Sequence, residues 1–239
     1  ALTWHPDNYN QVSTGSSQSC ISCFFKFHGV SAHAAGAPHL GRSALDACEL
    51  MNVGVNYLRE HMLPSDRVHY AYTNAGGKAP NVVQSEAVLK YFVRSATNPV
   101  CEELYQRVIN CAKGAALMTG TTVDVIFDEG LSNTVPNFVL EDVLADSFRK
   151  IYKNDYTEEE LAYAQSFKDT FDIKNVLSDI PQFAKDPQAV IQNIKERPIN
   201  DYFIETNHSD VCEMGSTDVG DVSWCVPTAQ INTACYSIG

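Results

Sequence analysis

The feature that most constrains this chain is the order of apolar periodicities between positions 20 and 128. Cys20–His28 alternates apolar and polar residues, as a half-buried strand does, and Ser43–His61 then repeats apolar residues at helical spacing. The same criteria predict, in order, a strand, a strand, a helix and a strand over Arg67–Thr73, Ala87–Ser95, Val100–Met118 and Thr121–Asp128. This order predicts a ferredoxin-like βαββαβ domain: a mainly antiparallel four-stranded sheet with two helices on one face. An outer strand of such a sheet offers a free edge to a second copy.

The residues on either side of this pattern are less regular. Ala1–His5 is typical of the end of a buried strand, and Asn8–Ser19 of a polar linker. Two helices and a short strand are predicted later, over Phe138–Tyr152, Thr157–Phe171 and Tyr202–Glu205, with Thr157 and Glu160 as a capping box. We expect these parts to lack a complete sheet of their own. The fold class is therefore α+β, and a chain that starts inside a strand is expected to be part of a longer protein.

Composition excludes some classes of protein. The net charge of −12 argues against a nucleic-acid-binding protein, which needs a basic face. No apolar run approaches the ~20 residues that span a bilayer. Eight cysteines in apolar surroundings indicate free, packed thiols in a reducing cytoplasm. Cys20 and Cys23 also have the spacing of a zinc or redox motif, but they lie in a predicted strand without a second Cys/His pair at the required distance.

Two histidines are candidates for chemistry. His5 follows Trp4 and precedes Pro6 at the end of a predicted strand, where it could be a metal ligand or an ordinary surface or core histidine. His33 lies among small residues in the loop after the first long strand. It could stabilise an oxyanion, or it could be a structural loop residue.

Two further positions could bind a carboxylate. Asn81 ends the loop that begins at Gly76-Gly77, which lacks the Lys-Ser/Thr of a phosphate loop and is equally typical of a hairpin turn. Arg94 ends a predicted strand among apolar neighbours. A guanidinium group binds carboxylates with two hydrogen bonds, although a strand-end arginine can also be merely exposed.

The densest polar motif is Ser216–Trp224. Asp218 and Asp221 could line a site and orient metal ligands, or they could form a turn that caps a helix. The sequence leaves these two interpretations open.

Taken together, these motifs resemble one family. Their order, with Gly29–Ala35, Pro38–Ala47 and Pro227, is similar to the M20 family of metallopeptidases and amidohydrolases, especially its aminobenzoyl-glutamate utilisation branch. The resemblance implies a two-domain homodimeric enzyme with two bridged divalent metals, zinc or manganese, that cleaves the amide bond of an N-acyl amino acid such as aminobenzoyl-glutamate. It also implies a ferredoxin-like dimerisation lid, here residues 18–132, between catalytic segments at 1–17 and 133–239.

The resemblance assigns roles residue by residue. It implies that His33 reaches the partner's site and stabilises the oxyanion, that Asn81 and Arg94 hold the substrate carboxylate, and that His5 is a metal ligand. The family's other metal ligands and its general base have no counterpart here, so the α/β catalytic portion is expected to be incomplete and the chain by itself inactive. The alternative is a non-catalytic dimerisation or ligand-binding module.

Overall fold

The computed structural model describes residues 1–153, 155–172, 174 and 181–238. The strands are β1 (Leu2–Asp7), β2 (Asn10–Val12), β3 (Ser16–Ser17), β4 (Ser19–His28), β5 (Arg67–Asn74), β6 (Glu86–Ser95), β7 (Thr122–Leu131), β8 (Phe203–Ile204), β9 (Cys212–Glu213) and β10 (Ala229–Ala234). The helices are α1 (Ala44–Leu58), α2 (Asn98–Thr119), α3 (Phe138–Ile151), α4 (Glu158–Lys168), α5 (Pro187–Glu196) and α6 (Val219–Cys225), with 3₁₀ turns at Pro38–Leu40 and Arg59–His61.

The chain forms two compact units, which are described separately. The central unit is Ser17–Asn133 with Met214–Asp218. The flanking unit is Ala1–Ser16, Thr134–Glu213 and Val219–Gly239, except for residues 154, 173, 175–180 and 239, which lie outside the described residues.

The central unit has the predicted βαββαβ topology. Its sheet has the order β5-β6-β4-β7, and every neighbouring pair is antiparallel. β4 is hydrogen-bonded on both sides, and its register with β6 runs from Ser19 opposite Ser95 to His28 opposite Glu86. Strand alternation places β4 and β6 side chains on two faces, and both helices pack on one of them.

The core of the central unit is built from the inward residues of the two inner strands and the inner stripes of the helices. It includes Cys23, Phe25, Phe27, Met51, Val55, Leu89, Tyr91, Val93, Leu104 and Val108. Burial of these side chains is the main stabilising contribution, at about 25 cal/mol per Å² of apolar surface. The apolar alternation of β4 is therefore a correct signal for the fold.

The helix ends follow from local chemistry. α1 begins where the Ser43 hydroxyl accepts a hydrogen bond from the Asp46 backbone N–H at 3.0 Å. α2 ends at Gly120, whose φ of 64° lies in the left-handed region that glycine adopts without a Cβ clash. Both helices match the predicted segments to within a few residues.

The side chains of β7 differ in their packing. Val123 and Val125 pack on the core, whereas Phe127 is 62% exposed. β7 is an outer strand, and its pairing with β4 shifts register between Ser22 and Cys23, beside Phe127. A bulge at a sheet edge redirects the side chains next to it, which accounts for the exposed ring.

The flanking unit corrects two expectations. It has a sheet of its own, in the order β1-β10-β2-β8, and the predicted linker Asn8–Ser19 contains β2 of that sheet. β1 and β10 pair in parallel from Leu2 opposite Ala229 to Asp7 opposite Ala234. Local periodicity does not report this sheet, because its strands come from opposite ends of the sequence.

β1 is not the buried strand that the sequence predicts. Leu2 is 64% and Trp4 55% exposed, because β1 is an outer strand of the described sheet. The capping box of Thr157 and Glu160 at the start of α4 is confirmed, and the predicted short strand is present as β8. Among the described residues, no helix combines the length and apolar character that crossing a bilayer requires.

Removal of one buried hydroxyl tests the packing of the central unit. The Tyr91 hydroxyl donates to the Asn52 side-chain oxygen, and both residues are buried. We expect Tyr91→Phe to lower the free energy of unfolding by about 1–3 kcal/mol, because it leaves the amide oxygen without its donor. Urea unfolding followed by circular dichroism measures this. Tyr163→Phe, at a site 67% exposed on α4, is the matched control and should change stability little.

Candidate functional site

His33 and Asn81 lie side by side in two paired loops. The segment after β4 and the segment before β6 form a short ladder, in which the Ala34 N–H donates to the Asn81 carbonyl at 2.9 Å and the Val83 N–H to the Ala32 carbonyl at 2.9 Å. His33 itself is bridged to Val82. The His33 and Asn81 side chains are exposed, so both are accessible to a ligand.

The loop of His33 needs glycine where it leaves β4. A Cβ on Gly29 would lie 2.0 Å from the Arg42 carbonyl oxygen, which is closer than any contact distance. This approach lets Val30 and Arg42 exchange backbone hydrogen bonds of 2.8 and 2.9 Å. The base of the loop is thereby fixed to the residues just before α1.

The Gly76-Gly77 turn fixes the facing loop. Their φ values of 83° and 113° are in the region that favours glycine, and the Gly76 N–H donates to the Asn74 side-chain oxygen at 2.8 Å. The hairpin-turn interpretation of these glycines is therefore right.

The His33 ring is held by the backbone. Its Nδ1 accepts hydrogen bonds from the Gly36 N–H at 2.9 Å and the Ala35 N–H at 3.2 Å. A nitrogen that accepts these bonds carries no proton, so in the neutral ring the proton is on Nε2. His33 thus presents an outward N–H donor, which is the group that stabilisation of an oxyanion requires.

Arg94 lies near the other end of β6. Its Nη1 donates to the Ser216 hydroxyl at 2.8 Å, and its guanidinium carbon is 5.6 Å from the centre of the Phe92 ring. It is opposite Cys20 on β4, whereas His33 follows the His28 end of the same strand. From Cys20 to His28 the strand spans roughly 26 Å at about 3.3 Å per residue. One chain therefore does not bring Arg94 together with His33 and Asn81.

Two residues beside Arg94 carry no signal in the sequence. Arg67 on β5 is directly opposite Arg94, and His69 is opposite Phe92. Burial lowers the pKa of His69, and the charge of Arg94 is the next largest cause. Only the register of β5 with β6 reveals these neighbours, and a strand register between two apolar runs is not readable from local sequence.

The remaining predicted residues do not form a metal site in the described part of the chain. His5 lies within β1, exposed, opposite Asn232. No group of three or more His, Cys, Asp or Glu side chains suited to a metal ion is present among the described residues. These residues therefore do not fit the binuclear centre that the resemblance implies.

The Ser216–Trp224 motif is a short loop that leads into a helix. Asp218 immediately precedes α6, and Asp221 lies in its first turn. Carboxylates are favourable at that position because they face unpaired N–H groups. The Ser223 hydroxyl donates to the Gly220 carbonyl at 2.6 Å, within the helix.

The cysteines are free, but not all are packed. Cys20, Cys23, Cys48 and Cys101 are buried, whereas Cys225 and Cys235 are exposed. Burial raises the pKa of Cys23 and of Cys48 to about 12, so these thiols behave as small apolar groups. A redox or zinc role for Cys20 and Cys23 has no support in the described structure.

The tautomer of His33 can be measured directly. We expect the folded chain to hold this ring as the Nε2–H form, because two backbone N–H groups occupy Nδ1. Nitrogen-15 NMR of histidine-labelled protein distinguishes the two ring nitrogens. The exposed His39 serves as reference and should exchange between both forms. A proton on Nδ1 of His33 would contradict the assignment.

Comparisons with known proteins agree with the fold. A family model described as "Peptidase dimerisation domain", of the M20 group, matches residues 16–117. One subunit of the p-aminobenzoyl-glutamate hydrolase of Escherichia coli (strain K12) is 39% identical over 100% of this chain and 50% of its own length. The Xaa-Arg dipeptidase of Mus musculus is 34% identical over 53% of this chain and 29% of its own length. The chain thus spans at most about half the length of these relatives.

One solved structure shows the same fold. The aminobenzoyl-glutamate utilization protein from Klebsiella pneumoniae superposes with a TM-score of 0.60 at 17% identity, over 97% of this chain and 49% of that chain.

Proposed function

We propose that this chain, which belongs to the M20 peptidase family, is the substrate-clamping and dimer-forming part of an amidohydrolase that cleaves N-acyl amino acids. The E. coli relative is named for the hydrolysis of p-aminobenzoyl-glutamate, and an N-acyl amino acid such as aminobenzoyl-glutamate is the substrate that fits the groups described above. Free cysteines are consistent with a cytoplasmic enzyme.

The observation that carries the proposal is the separation of His33 and Asn81 from Arg94 along one sheet. Two copies that pair antiparallel through an outer strand reverse the direction of that strand. If β5 is the pairing strand, its Arg67 end in one copy faces the Asn74 end in the other. The loops of His33 and Asn81 in one copy then approach Arg94 of the second copy. A complete site therefore needs two chains.

β5 is the better pairing edge of the two outer strands. Both outer strands contain a register shift, but the stretch of β5 from Tyr70 to Asn74 is uncharged, whereas β7 carries Asp124, Asp128 and Glu129. Charged side chains are among the devices that keep an edge from pairing. Next to β5, the outer side of α1 exposes an apolar stripe of Leu50, Val53 and Tyr57 that a second copy can cover.

The residues of this chain then have separate tasks. Arg94 binds the substrate carboxylate by charge-assisted hydrogen bonds, and the Asn81 amide of the other copy adds a donor to it. Water adds to the amide carbonyl and gives up a proton, the carbonyl oxygen becomes an oxyanion, and the C–N bond breaks as a proton passes to the leaving amine nitrogen. The Nε2–H of His33 donates to that oxyanion, a contribution worth about 10²- to 10³-fold in rate for one such donor. No step is assigned to a metal, because the described residues do not form a metal site.

A second candidate has one observation in its favour. The described residues hold no cluster of metal ligands, as a non-catalytic dimerisation or ligand-binding module would. Metal analysis of the complete gene product separates the two. Stoichiometric divalent metal together with hydrolysis of N-acyl amino acids supports the enzyme, and neither property supports the module.

Charge introduced at the two outer strands tests the homodimer. We expect Ala71→Lys on β5 to convert the dimer to monomer, because the pairing would place like charges close together at the two-fold axis. Sedimentation velocity over a range of concentrations measures this. Ile126→Lys on β7, at a position 46% exposed, is the matched control and should leave the dimer intact. A wild-type chain that remains monomeric, or that assembles only with a different related protein, would contradict the homodimer.

Mixing two inactive variants tests whether the site is shared. In the complete gene product, His33→Ala and Arg94→Ala should each be nearly inactive alone. After unfolding and refolding together, we expect roughly a quarter of wild-type activity, because half of the dimers are mixed and each mixed dimer has one intact site. Mixing His33→Ala with Asn81→Ala is the control, since both residues belong to one chain's contribution and no intact site can form. Equal recovery in both mixtures, or in neither, would contradict the shared site.

A further inference from the structure

Two guanidinium groups lie next to each other on the open face of the central sheet. Arg67 and Arg94 are opposite each other in the antiparallel pair of β5 and β6, so their side chains leave the same face. Like charges in directly opposite positions destabilise a sheet. This arrangement is therefore unfavourable unless an anion lies between the two groups.

Neither arginine forms an ion pair within the described part of the chain. Arg94 donates to the neutral Ser216 hydroxyl, and Arg67 donates through Nη1 to the carbonyl oxygens of Pro64 and Asp66, each at 2.6 Å. These neutral acceptors orient both guanidinium groups and leave their charge uncompensated.

Two carboxylates from this part of the sheet do not compensate the arginines. Asp66 accepts from the Ser95 hydroxyl at 2.6 Å and from the Leu63 N–H at 2.9 Å, and it is buried. Glu129, which is near Cys20 on the other side of β4, pairs with neither arginine in the described structure. The charge of the two arginines thus stays uncompensated although carboxylates are present in this part of the sheet.

The lysines of the same face show the contrast. Lys26 pairs with Glu86 at 2.8 Å, and Lys90 pairs with Asp128 at 2.8 Å. In a chain with a net charge of −12, acidic partners are plentiful, and these two lysines have them. The two arginines are the exception on this face.

His69 reports the resulting positive potential. Burial lowers the pKa of its ring, the charge of Arg94 lowers it next, and Arg59 and Arg67 lower it further. The imidazole therefore provides a probe that is independent of catalysis, because an anion bound between the arginines would raise the pKa of His69.

We propose that Arg67 is a specificity-determining residue, which together with Arg94 forms a receptor for the two carboxylates of an acidic amino-acid group such as the glutamate of aminobenzoyl-glutamate. The inference rests on the proposed function, in which Arg94 holds the carboxylate next to the scissile amide. Arg67, one strand spacing of about 4.8 Å away, then binds the side-chain carboxylate of a glutamyl or aspartyl group. Arg67 is accordingly the residue that sets specificity.

A pair of nearly isosteric ligands tests this. We expect the complete gene product to bind N-acetyl-L-glutamate about 10- to 100-fold more tightly than N-acetyl-L-glutamine, as measured by isothermal titration calorimetry, because only the former supplies a second charged partner. Arg67→Gln should abolish this preference by weakening glutamate binding alone, and Arg67→Lys should retain part of it. Arg107→Gln is the matched control, since Arg107 also donates to a backbone carbonyl, that of His61, but lies on α2.

NMR titration of the His69 ring gives a second readout. N-acetyl-L-glutamate should raise the pKa of His69 in the wild-type protein, and the increase should be smaller in Arg67→Gln. Equal affinity for the two ligands in the wild-type protein, or an unchanged preference in Arg67→Gln, would overturn the proposal.

Hydrolysis assays separate the two levels of inference. Cleavage of N-acyl glutamate and N-acyl glutamine at equal catalytic efficiency would overturn the dicarboxylate receptor and leave the amidohydrolase intact. Preferential binding of N-acetyl-L-glutamate without cleavage of any N-acyl amino acid would do the reverse.

Discussion

The central unit depends on one strand that is paired along both sides. β4 supplies Cys23, Phe25 and Phe27 to the core, and its backbone is hydrogen-bonded to β6 and β7. A period of two residues means that the same strand also fixes the opposite face, where Lys26 and Phe24 lie. The position of β4 therefore also fixes the groups at its two ends, which are the His33 loop at one end and the residues around Arg94 at the other. The packing that forms the core therefore also positions the residues of the site.

The two faces of this sheet have different chemistry. The core face is apolar and excludes charge, and burial there raises the pKa of thiols such as Cys23 to about 12. The open face carries ion pairs, aromatic rings and the two opposed arginines. Such a face is costly to maintain without a ligand or a partner, because exposed aromatic and like-charged groups do not stabilise a sheet. The polar organisation of that face is better explained by binding than by folding.

The sequence is sufficient where structure is local. The alternation in β4, the helical stripe of α1 and the capping box at Thr157 each depend on residues a few positions apart, and each prediction is confirmed. Prediction fails where structure depends on distant pairing. The parallel contact of β1 with β10 joins the two ends of the chain, so neither the exposure of Trp4 nor the sheet itself can be anticipated.

The candidate site shows the same limit. The resemblance identifies His33, Asn81 and Arg94. That they lie at two different ends of a sheet is known only from the three-dimensional structure. The sequence leaves the α6 start at Asp218 open between loop and helix, because both states favour the same residues. Arg67 cannot be identified from the sequence for a different reason. Its importance depends on the residue opposite it in the strand pair, and the connection between β5 and β6 sets that register.

The separation of the histidine loop from the arginines along β4 has a consequence for how such a sheet can change over time. The length of the inner strands sets the distance between the two half-sites. Adding a single residue to β6 would turn Arg94 toward the core and Val93 toward water, since side chains alternate. Adding two would keep the faces but move the arginine by roughly 7 Å. Loops other than those of His33 and Asn81 can vary in such a molecule, whereas the number of residues in its inner strands cannot.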